Sequence, residues 1–401
     1  MASSGLLQRW RMLVAVSTFM LVVLAGATIA SAHGGDASVI HACVHNVSSI
    51  ARIVDPNGAC HPEETAVHWS IVGPQGPQGP QGPAGPPGAA GPPLALTVDC
   101  GGGQSIANAL ANNGGPLIIT VQGTCNEHVT IARDDVSLVA GPGGAVHGPD
   151  PNTGTIRVTG DRVVIDGLTV TGGRNGIQAT GSSQLVVRNC TVTSGRSGIG
   201  YFDGANGTVD NCNLQGNPRD GIVLDRGTAS ISNSTVSGSG RFGINVFNGS
   251  ATIAGGNVIT ANTVNGVQVN LSTVEMFAGV TANQITNNGV QGLNVQVGSV
   301  VVISGTTISG NSGDGLQVSR RAFVETGNGV TISNNTGDGI GLHVGAGVSL
   351  LNPITITGNG RFGLQCIGTE SRFFANAGAT DGITGNGPDG TQNISTTCNT
   401  F

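Results

Sequence analysis

Residues 308–317 read Ile-Ser-Gly-Asn-Ser-Gly-Asp-Gly-Leu-Gln, and they contain two sequence marks that recur through much of the chain. The first mark is an apolar residue, then Thr or Ser, any residue and Asn. The second is Gly followed by Ile, Val or Leu, and it recurs every 22 to 26 residues, at Gly176, Gly198, Gly221, Gly243, Gly266, Gly292, Gly315, Gly339 and Gly363. Two marks with one period predict one structural coil per repeat.

Short runs rich in β-branched residues lie between the marks, for example residues 184–188, 228–231 and 300–304. Glycine and asparagine punctuate these runs, which predicts strands and bends and no helical periodicity. A unit of this length cannot bury its own apolar face. Stacking each unit on the next one gives a continuous core and continuous parallel sheets.

Over residues 97–398 these marks resemble the right-handed parallel β-helices of the pectate-lyase-like class. The resemblance implies an all-β, right-handed parallel β-helix, which is a solenoid. This architecture carries lyases, hydrolases, epimerases, phage tailspikes and non-catalytic surface proteins, so the resemblance implies a fold and no single activity. The open end of such a solenoid needs a plug, and residues 105–110 predict a short N-terminal cap helix there.

The start of the chain predicts export. Arg9 and Arg11 precede an apolar run at 13–27, and Ala-Ser-Ala follows at 30–32, as in a secretory signal peptide. We therefore expect a signal peptide at 1–32 and a secreted or cell-surface protein without a membrane segment after cleavage. The alternative is an uncleaved anchor.

Three further segments are predicted. Residues 33–72 form a small head module that contains Cys and His, 73–93 a collagen-like Gly-x-y stalk, and 94–401 the capped β-helix. The stalk holds seven triplets with Gly at every third position, as the axis of a triple helix requires. It predicts either a homotrimer or a stiff polyproline spacer.

Composition argues against a nucleic-acid or anionic-membrane partner. All 16 basic residues are Arg, and the net charge is -6. A binder of polyanionic nucleic acid or of an anionic membrane carries a basic surface rich in Lys and Arg.

Eight cysteines in an exported chain predict disulfides between sequence neighbours, namely Cys43–Cys60, Cys100–Cys125, Cys190–Cys212 and Cys366–Cys398. Cys190 and Cys212 each follow an Asn, so they lie about 4.8 Å apart on adjacent coils, as a bridge or as stacked thiols. Cys43, His45, Cys60 and His61 offer ligands for zinc. Their spacing and an oxidising compartment favour the disulfide, so we predict no metal there.

An outward stripe of amides is predicted by the alternation after each Gly-apolar mark. Its members are Gln178, Asn245, Gln268, Asn294 and Gln317. Amides donate and accept hydrogen bonds, as sugar hydroxyls require. Phe202 and Phe247 follow on the same face and offer apolar surfaces to a pyranose. The alternative is that the amides stack in ladders for structural reasons.

An arginine series precedes the glycines on four consecutive coils, at Arg174, Arg196, Arg219 and Arg241. Like charges at this spacing repel unless they are countered. A polysaccharide or cell-surface glycan with uronate or sulfate groups would counter them. The alternative is that the arginines extend into water and pair with nearby aspartates.

The catalytic candidates are Asp203, Asp220, Asp225 and Arg219. Two carboxylates can act as acid and base in glycoside hydrolysis, or bind calcium for uronate elimination with an Arg as proton acceptor. The chain lacks Lys and lacks the Asp-Asp, His-Gly and Arg-x-Lys pattern of polygalacturonases. Two other aspartates, Asp314 and Asp338, precede Gly and predict turns, and His343 predicts a lone surface histidine.

We therefore expect a secreted or cell-surface protein with a non-catalytic, glycan-binding, adhesive or structural role and no cofactor. The competing hypothesis is a lyase, hydrolase or epimerase acting on an anionic glycan, with calcium if it is a lyase.

Overall fold

The computed structural model of the chain describes residues 36–73, 75–76, 92–368 and 370–400. The predicted signal peptide lies outside the described residues, as does most of the collagen-like segment. The chain divides into two units, Met1–Pro87 and Gly88–Phe401.

The first unit contains an antiparallel sheet of three strands, Val39–His45, Ala51–Val54 and Glu64–Ser70, with Val39–His45 in the centre. The predicted disulfide Cys43–Cys60 is formed and ties the central strand to the loop between Ala51–Val54 and Glu64–Ser70. The Arg52 guanidinium donates two hydrogen bonds to the Glu64 carboxylate, at 2.9 and 2.7 Å. These bonds lower the pKa of Glu64 to about 2.

The second unit winds through three parallel sheets, which confirms the predicted all-β parallel solenoid. The first has 14 strands: Leu94–Asp99, Leu117–Gln122, Val136–Ala140, Val163–Asp166, Gln184–Arg188, Asn206–Asp210, Thr228–Ser232, Ser250–Ala254, Thr273–Phe277, Val300–Ile303, Phe323–Thr326, Gly347–Leu350, Arg372–Ala375 and Asn399–Thr400. The second has 11 strands: Val129–Ile131, Ile156–Val158, Asn175–Thr180, Ser197–Phe202, Ile222–Asp225, Ile244–Phe247, Val267–Asn270, Leu293–Gln296, Leu316–Ser319, Ile340–His343 and Leu364–Ile367. The third has 12 strands: Thr124–Asn126, Ala145–Gly148, Thr169–Gly172, Thr191–Ser194, Asn213–Gln215, Thr235–Ser237, Val258–Thr260, Asn283–Thr286, Thr306–Ser309, Thr331–Ser333, Thr355–Thr357 and Ile383–Thr384.

The Gly-apolar mark places one apolar side chain per coil in the core. In the eleven-strand sheet these residues pair in register and are fully buried, from Ile177 through Ile199, Ile222, Ile244, Val267, Leu293, Leu316 and Ile340 to Leu364. The preceding glycine is required by close packing. A Cβ at Gly315 would lie 2.4 Å from Ile332 Cγ2 and 2.9 Å from the Gly339 carbonyl oxygen, so a side chain does not fit there.

The Asn of the other mark forms a buried ladder along the inside of a bend. Each side chain donates from Nδ2 to Oδ1 of its counterpart one coil later, at 2.8 to 2.9 Å. The ladder runs through Asn262, Asn288, Asn311, Asn335, Asn359 and Asn386. It satisfies backbone groups that the bend leaves without sheet partners, which explains why Asn recurs at this position.

A short helix, Ile106–Asn112, is capped at its N-terminus by Ser105, whose side chain accepts a hydrogen bond from the Asn108 N–H. Ile106 and Leu110 are its buried residues. The Glu127 carboxylate also accepts hydrogen bonds from the Ile106 and Ala107 N–H groups. A negative side chain at this position satisfies donors that a helix start leaves unpaired. The role of this helix as a cap stays a prediction.

Disulfides close both ends of the solenoid unit. Cys100–Cys125 and Cys366–Cys398 are formed as the sequence order predicts. The fourth predicted bridge is wrong in this structure, because Cys190 and Cys212 are buried free thiols. They hold equivalent places on adjacent coils, and the strand geometry leaves them stacked side by side. Contact with the Cys212 thiol and burial raise the pKa of Cys190.

Within the part of the chain that the structure describes, no helix is long and apolar enough to cross a lipid bilayer.

Candidate functional site

A groove of about 670 Å³ lies on the outer face of the eleven-strand sheet. It extends across the strands that begin at Asn175, Ser197, Ile222, Ile244 and Val267. Its lining residues are Arg174, Asn175, Gln178, Thr180, Arg196, Ser197, Phe202, Asp203, Arg219, Asp220, Val223, Asp225, Arg226, Arg241, Phe242, Asn245, Phe247 and Asn270. The structure therefore brings all four catalytic candidates and seven of the ten predicted ligand-binding residues to one surface.

One edge of the groove is formed by arginines stacked coil on coil. The Arg219 N–H donates to the Arg196 carbonyl oxygen at 2.7 Å, and the Arg241 N–H donates to the Arg219 carbonyl oxygen at 2.6 Å. Arg241 also holds Asp220, which is almost fully buried, through two hydrogen bonds of 2.9 and 2.7 Å. Arg219 lies 3.5 Å from the same carboxylate. Asp220 therefore counters these two arginines.

The other two arginines of this edge are differently placed. Arg174 is exposed and Arg196 is half-buried. Among the described residues, neither has a carboxylate within ion-pair distance. This part of the edge presents uncompensated positive charge to the groove.

The opposite edge is formed where three of the strands end. Arg226 pairs there with Asp203, and its Nη1 lies 3.1 Å from Asp225 Oδ1. The hydrogen bond to Asp203 and the charge of Asp225 raise the pKa of Arg226. Both predicted catalytic carboxylates at this edge therefore lie within ion-pair distance of one guanidinium, which forms hydrogen bonds to Asp203 but none to Asp225 Oδ1.

The groove floor holds an aromatic pair. Phe202, Asp225 and Phe247 pair in register on successive strands, so the two phenylalanines lie two strands apart with Asp225 on the strand between them. Phe247 is 41% exposed. The Phe202 ring lies over Gly200, where a Cβ would be only 2.3 Å from Phe202 Cε2. The glycine lets this ring lie against the sheet at the groove floor.

The predicted amide stripe lies in one register row of the sheet. Gln178 and Asn245 line the groove, whereas Gly200 and Val223 hold the two positions between them. Gln268 and Asn294 continue the row outside the groove and are only 4% and 6% exposed. The Asn265 side chain donates to the Gln268 side chain at 2.8 Å, so part of this stripe already has protein partners.

Sequence reasoning missed a second polar cluster on the same sheet. Asp314 and Asp338 are buried, and His343 lies 3.5 Å from the side chain of Gln317, the fifth predicted amide. The interpretation of His343 as a lone surface residue is wrong, because its ring is half-buried and burial lowers its pKa. The sequence contains one clue to this cluster. Gly341 holds the position at which the neighbouring coils carry an amide of the stripe.

The groove carries positive charge on an acidic chain. Five arginines and three aspartates line it, which leaves a net charge of two positive units, whereas the whole chain carries -6. The described residues also contain groups of side chains of the types that bind cations. Two clusters have suitable spacing, Cys43–Cys60 with Glu64 and Cys100–Cys125 with Glu127. Their sulfurs form disulfides and are not available as thiolates.

Solved structures with similar folds include three with TM-scores above 0.5. The A-modules of the mannuronan C-5 epimerases AlgE6 and AlgE4 of Azotobacter vinelandii match at TM-scores of 0.51 and 0.52, with 16% and 17% identity. They cover 74% and 72% of this chain, and the matches span 93% and 91% of the modules. The Dettilon tailspike protein matches at 0.56 with 14% identity, over 72% of this chain and 64% of the tailspike. These identities establish a shared fold alone.

No curated protein matches the chain in sequence. A family model described as "Right handed beta helix region" matches residues 146–274 and 220–377, which together span more than half of the chain. The stacked register of the three parallel sheets agrees with this match over the same residues. The protein belongs to the right-handed beta helix region family.

Proposed function

We propose that this protein is exported and binds an anionic polysaccharide in the groove, without cleaving it. The observation that carries the proposal is the arginine edge, where Arg174 and Arg196 have no carboxylate partner among the described residues. A guanidinium forms two parallel hydrogen bonds to a carboxylate or sulfate. The net positive charge of the groove on an acidic chain supports an acidic ligand.

The groove floor suits the rest of a sugar unit. The Phe202 and Phe247 faces offer apolar contact to the C–H surface of a pyranose ring. Gln178 and Asn245 lie between the rings and the arginine edge, and their amides both donate and accept hydrogen bonds. The arginine edge would recognise acidic groups and the floor would recognise hydroxyl groups. Together they would select a polymer that carries both acidic groups and hydroxyls.

The ion pairs favour binding over catalysis. Asp220 is hydrogen-bonded to Arg241 and Asp203 to Arg226, and Asp225 lies within ion-pair distance of Arg226. These guanidinium groups lie against carboxylate oxygens that a catalytic acid or base would have to present to the substrate. Calcium for a lyase would have to compete with the same arginines for these oxygens.

Two further observations support the proposal. The fold is shared with mannuronan C-5 epimerases, whose name gives a polysaccharide as substrate, and with a phage tailspike. The three disulfides fit an oxidising compartment outside the cytosol. A glycan is available as a partner there.

We also propose that the collagen-like triplets at 73–93 join three chains. Light scattering of the exported chain would then give a trimer mass, and deletion of 73–93 would give a monomer mass. A monomer mass for the intact chain would contradict this assembly.

The binding experiment compares mannuronan and polygalacturonate with a neutral polysaccharide such as dextran. The double variant Arg174→Gln, Arg196→Gln is expected to lose at least tenfold in affinity for the acidic polymers. The matched control is Arg188→Gln, which removes an exposed arginine on the fourteen-strand sheet and should bind as the parent does.

The same mixtures are followed for new reducing ends, for the ultraviolet absorbance of unsaturated uronates and for C5 epimerisation by NMR. Equal binding by the parent and the double variant would overturn the proposal. Product formation that disappears in Asp225→Asn would instead establish the competing function, a lyase, hydrolase or epimerase.

A further inference from the structure

The three-stranded sheet of the first unit has two unlike faces. Side chains alternate along each strand, and residues paired across antiparallel strands share a face. One face carries the ionisable side chains of the sheet, namely His41, His45, Arg52, Glu64 and His68, together with Cys43. The other face carries an apolar set with one threonine and no charged residue, namely Ile40, Ala42, Val44, Ala51, Ile53, Thr65, Val67 and Trp69.

The loop between the second and third strands covers the ionisable face. Cys43 points to that side and is bonded to Cys60 in the loop. Arg52, on the same face, donates to the Ala59 carbonyl oxygen of the loop at 3.4 Å. Cys43 is fully buried as a result. The loop therefore lies on the ionisable side and leaves the apolar face uncovered.

The apolar face is exposed to an unusual degree. Ile53 is 76% exposed, Trp69 47% and Val67 38%. An antiparallel sheet ordinarily packs its apolar face against a core and turns its polar face to water. This sheet does the reverse. A cluster of exposed large apolar side chains without charge marks a surface that another protein surface covers.

The size of the head module makes such cover valuable. The sheet and its loop lie within residues 36–72, and one disulfide joins them. Domains below about 40 residues generally need disulfides, a metal or association with other chains to be stable. A sheet of three strands also needs its apolar face packed. Burial of Ile53, Val67 and Trp69 would stabilise the module itself.

The sequence that follows the sheet indicates what covers the face. The last strand ends at Ser70, and the Gly-x-y triplets begin at Gly73. A triple helix holds three chains side by side, so it would hold three heads together at Gly73 at a high effective concentration. Three copies of one surface also meet without repulsion only when that surface lacks net charge, as this face does.

We propose that the head modules of three chains pack against one another through this apolar face and align the chains for the triple helix at 73–93. The inference rests on the proposed assembly of three chains and adds the surface that starts it. Seven triplets make a short triple helix, and three small faces make a small contact. Each therefore depends on the other, and loss of either should give monomers.

Trp69 reports on this contact directly. The chain has two tryptophans, and Trp10 lies in the predicted signal peptide, so Trp69 is the single tryptophan of the chain without residues 1–32. In the trimer its fluorescence maximum should lie at a shorter wavelength than in the variant that lacks 73–93. The shift should reverse when dilution dissociates the trimer, as followed by light scattering of the same samples.

The test variant is Ile53→Ser, Val67→Ser, which keeps Trp69 as the probe. We expect its trimer to dissociate at a concentration at least about tenfold higher than that of the parent, because two apolar side chains per head lose their burial. The matched control is Val47→Ser, which removes an 89% exposed valine from the turn after the first strand and should assemble as the parent does. In each variant, two free thiols after denaturation without reduction show that Cys43–Cys60 has formed.

The possible failures are distinguishable. A parent trimer whose Trp69 emits as in the variant without 73–93, or that Ile53→Ser, Val67→Ser leaves unchanged, would overturn the head contact and leave the assembly through the triplets standing. A monomeric parent would overturn that assembly and this inference together. A monomeric parent with emission at short wavelength would show in addition that the face is covered within its own chain. Binding of polysaccharide in the groove is measured separately and is affected by none of these outcomes.

Discussion

Arg241 and Asp220 form a two-pronged ion pair, in which Nε and Nη2 of the arginine donate to the two carboxylate oxygens at 2.9 and 2.7 Å. The carboxylate is 1% exposed. A charge this deeply buried depends on its partner, because removal of the partner leaves it desolvated without compensation. The same pair forms the edge of the groove, so stability and recognition depend on the same residues.

Removal of Arg241 should therefore destabilise the fold. We expect Arg241→Ala to lower the free energy of unfolding by about 3 kcal/mol, near the lower end for a broken buried pair, because Arg219 remains 3.5 Å from Asp220. Urea denaturation measures this. The control is Arg188→Ala, which breaks the more exposed pair with Asp166 and should cost less than about 1 kcal/mol. Equal losses in the two variants would contradict the role of burial.

Stability should depend on the ionisation of Asp338, whose carboxyl group is influenced by the charges of Asp314 and Arg361. Burial raises the pKa of Asp338 to about 6 from the ordinary 3.8 of an aspartate, so the native state binds this proton more tightly than the unfolded chain does. The stabilisation of the native state by protonated Asp338 is fully present below about pH 4 and is lost as the pH rises through 6. Two pKa units correspond to about 3 kcal/mol.

Asp338→Asn removes this dependence and keeps an oxygen for the Phe362 N–H. The variant should be more stable than the parent at pH 7, and the difference should shrink to near zero at pH 4. Thermal unfolding across this range measures it. A difference that stays constant with pH would show that Asp338 does not titrate in this window.

The glycine of the repeat should tolerate no side chain. Gly315→Ala places a Cβ 2.4 Å from Ile332 Cγ2 on the next coil, and the strain should cost about 2 kcal/mol. Gly114→Ala is the control, because nothing lies within 4 Å of its Cβ position. Denaturation midpoints that fall equally in both variants would contradict the packing explanation of the repeat.

Two thiols should be found among the eight cysteines. Denatured, unreduced protein should react with two equivalents of a thiol reagent, from Cys190 and Cys212, whereas the native chain should react slowly because both side chains are buried. No reactive thiol in the denatured chain would mean that the fourth predicted disulfide forms in the exported protein.

The periodicity of the sequence was sufficient to predict the architecture of the solenoid. The recurrence of Gly315-Leu316 and Ile308-Ser-Gly-Asn311 predicted one coil per repeat, and each mark has one local cause. The glycine avoids a collision with the next coil, and the asparagine continues a hydrogen-bonded ladder. Each of these contacts involves only residues that lie one repeat apart, so it leaves a periodic pattern in the sequence that can be recognised without the structure. The arginine edge and the amide row were predicted for the same reason.

Only the tertiary structure decided which ion-pair partner each charged side chain has. The sequence placed Asp220, Asp203 and Asp225 near arginines, but it could not assign Arg241 to the first and Arg226 to the other two. It also classed Asp314, Asp338 and His343 as turn and surface residues, although Asp314 and His343 meet over Gly341 and the Asp338 N–H donates to Asp314. Alternation along a strand tells which face a residue occupies. Which neighbours it meets there depends on coil lengths, bends and rotamers, and these are set by packing in three dimensions.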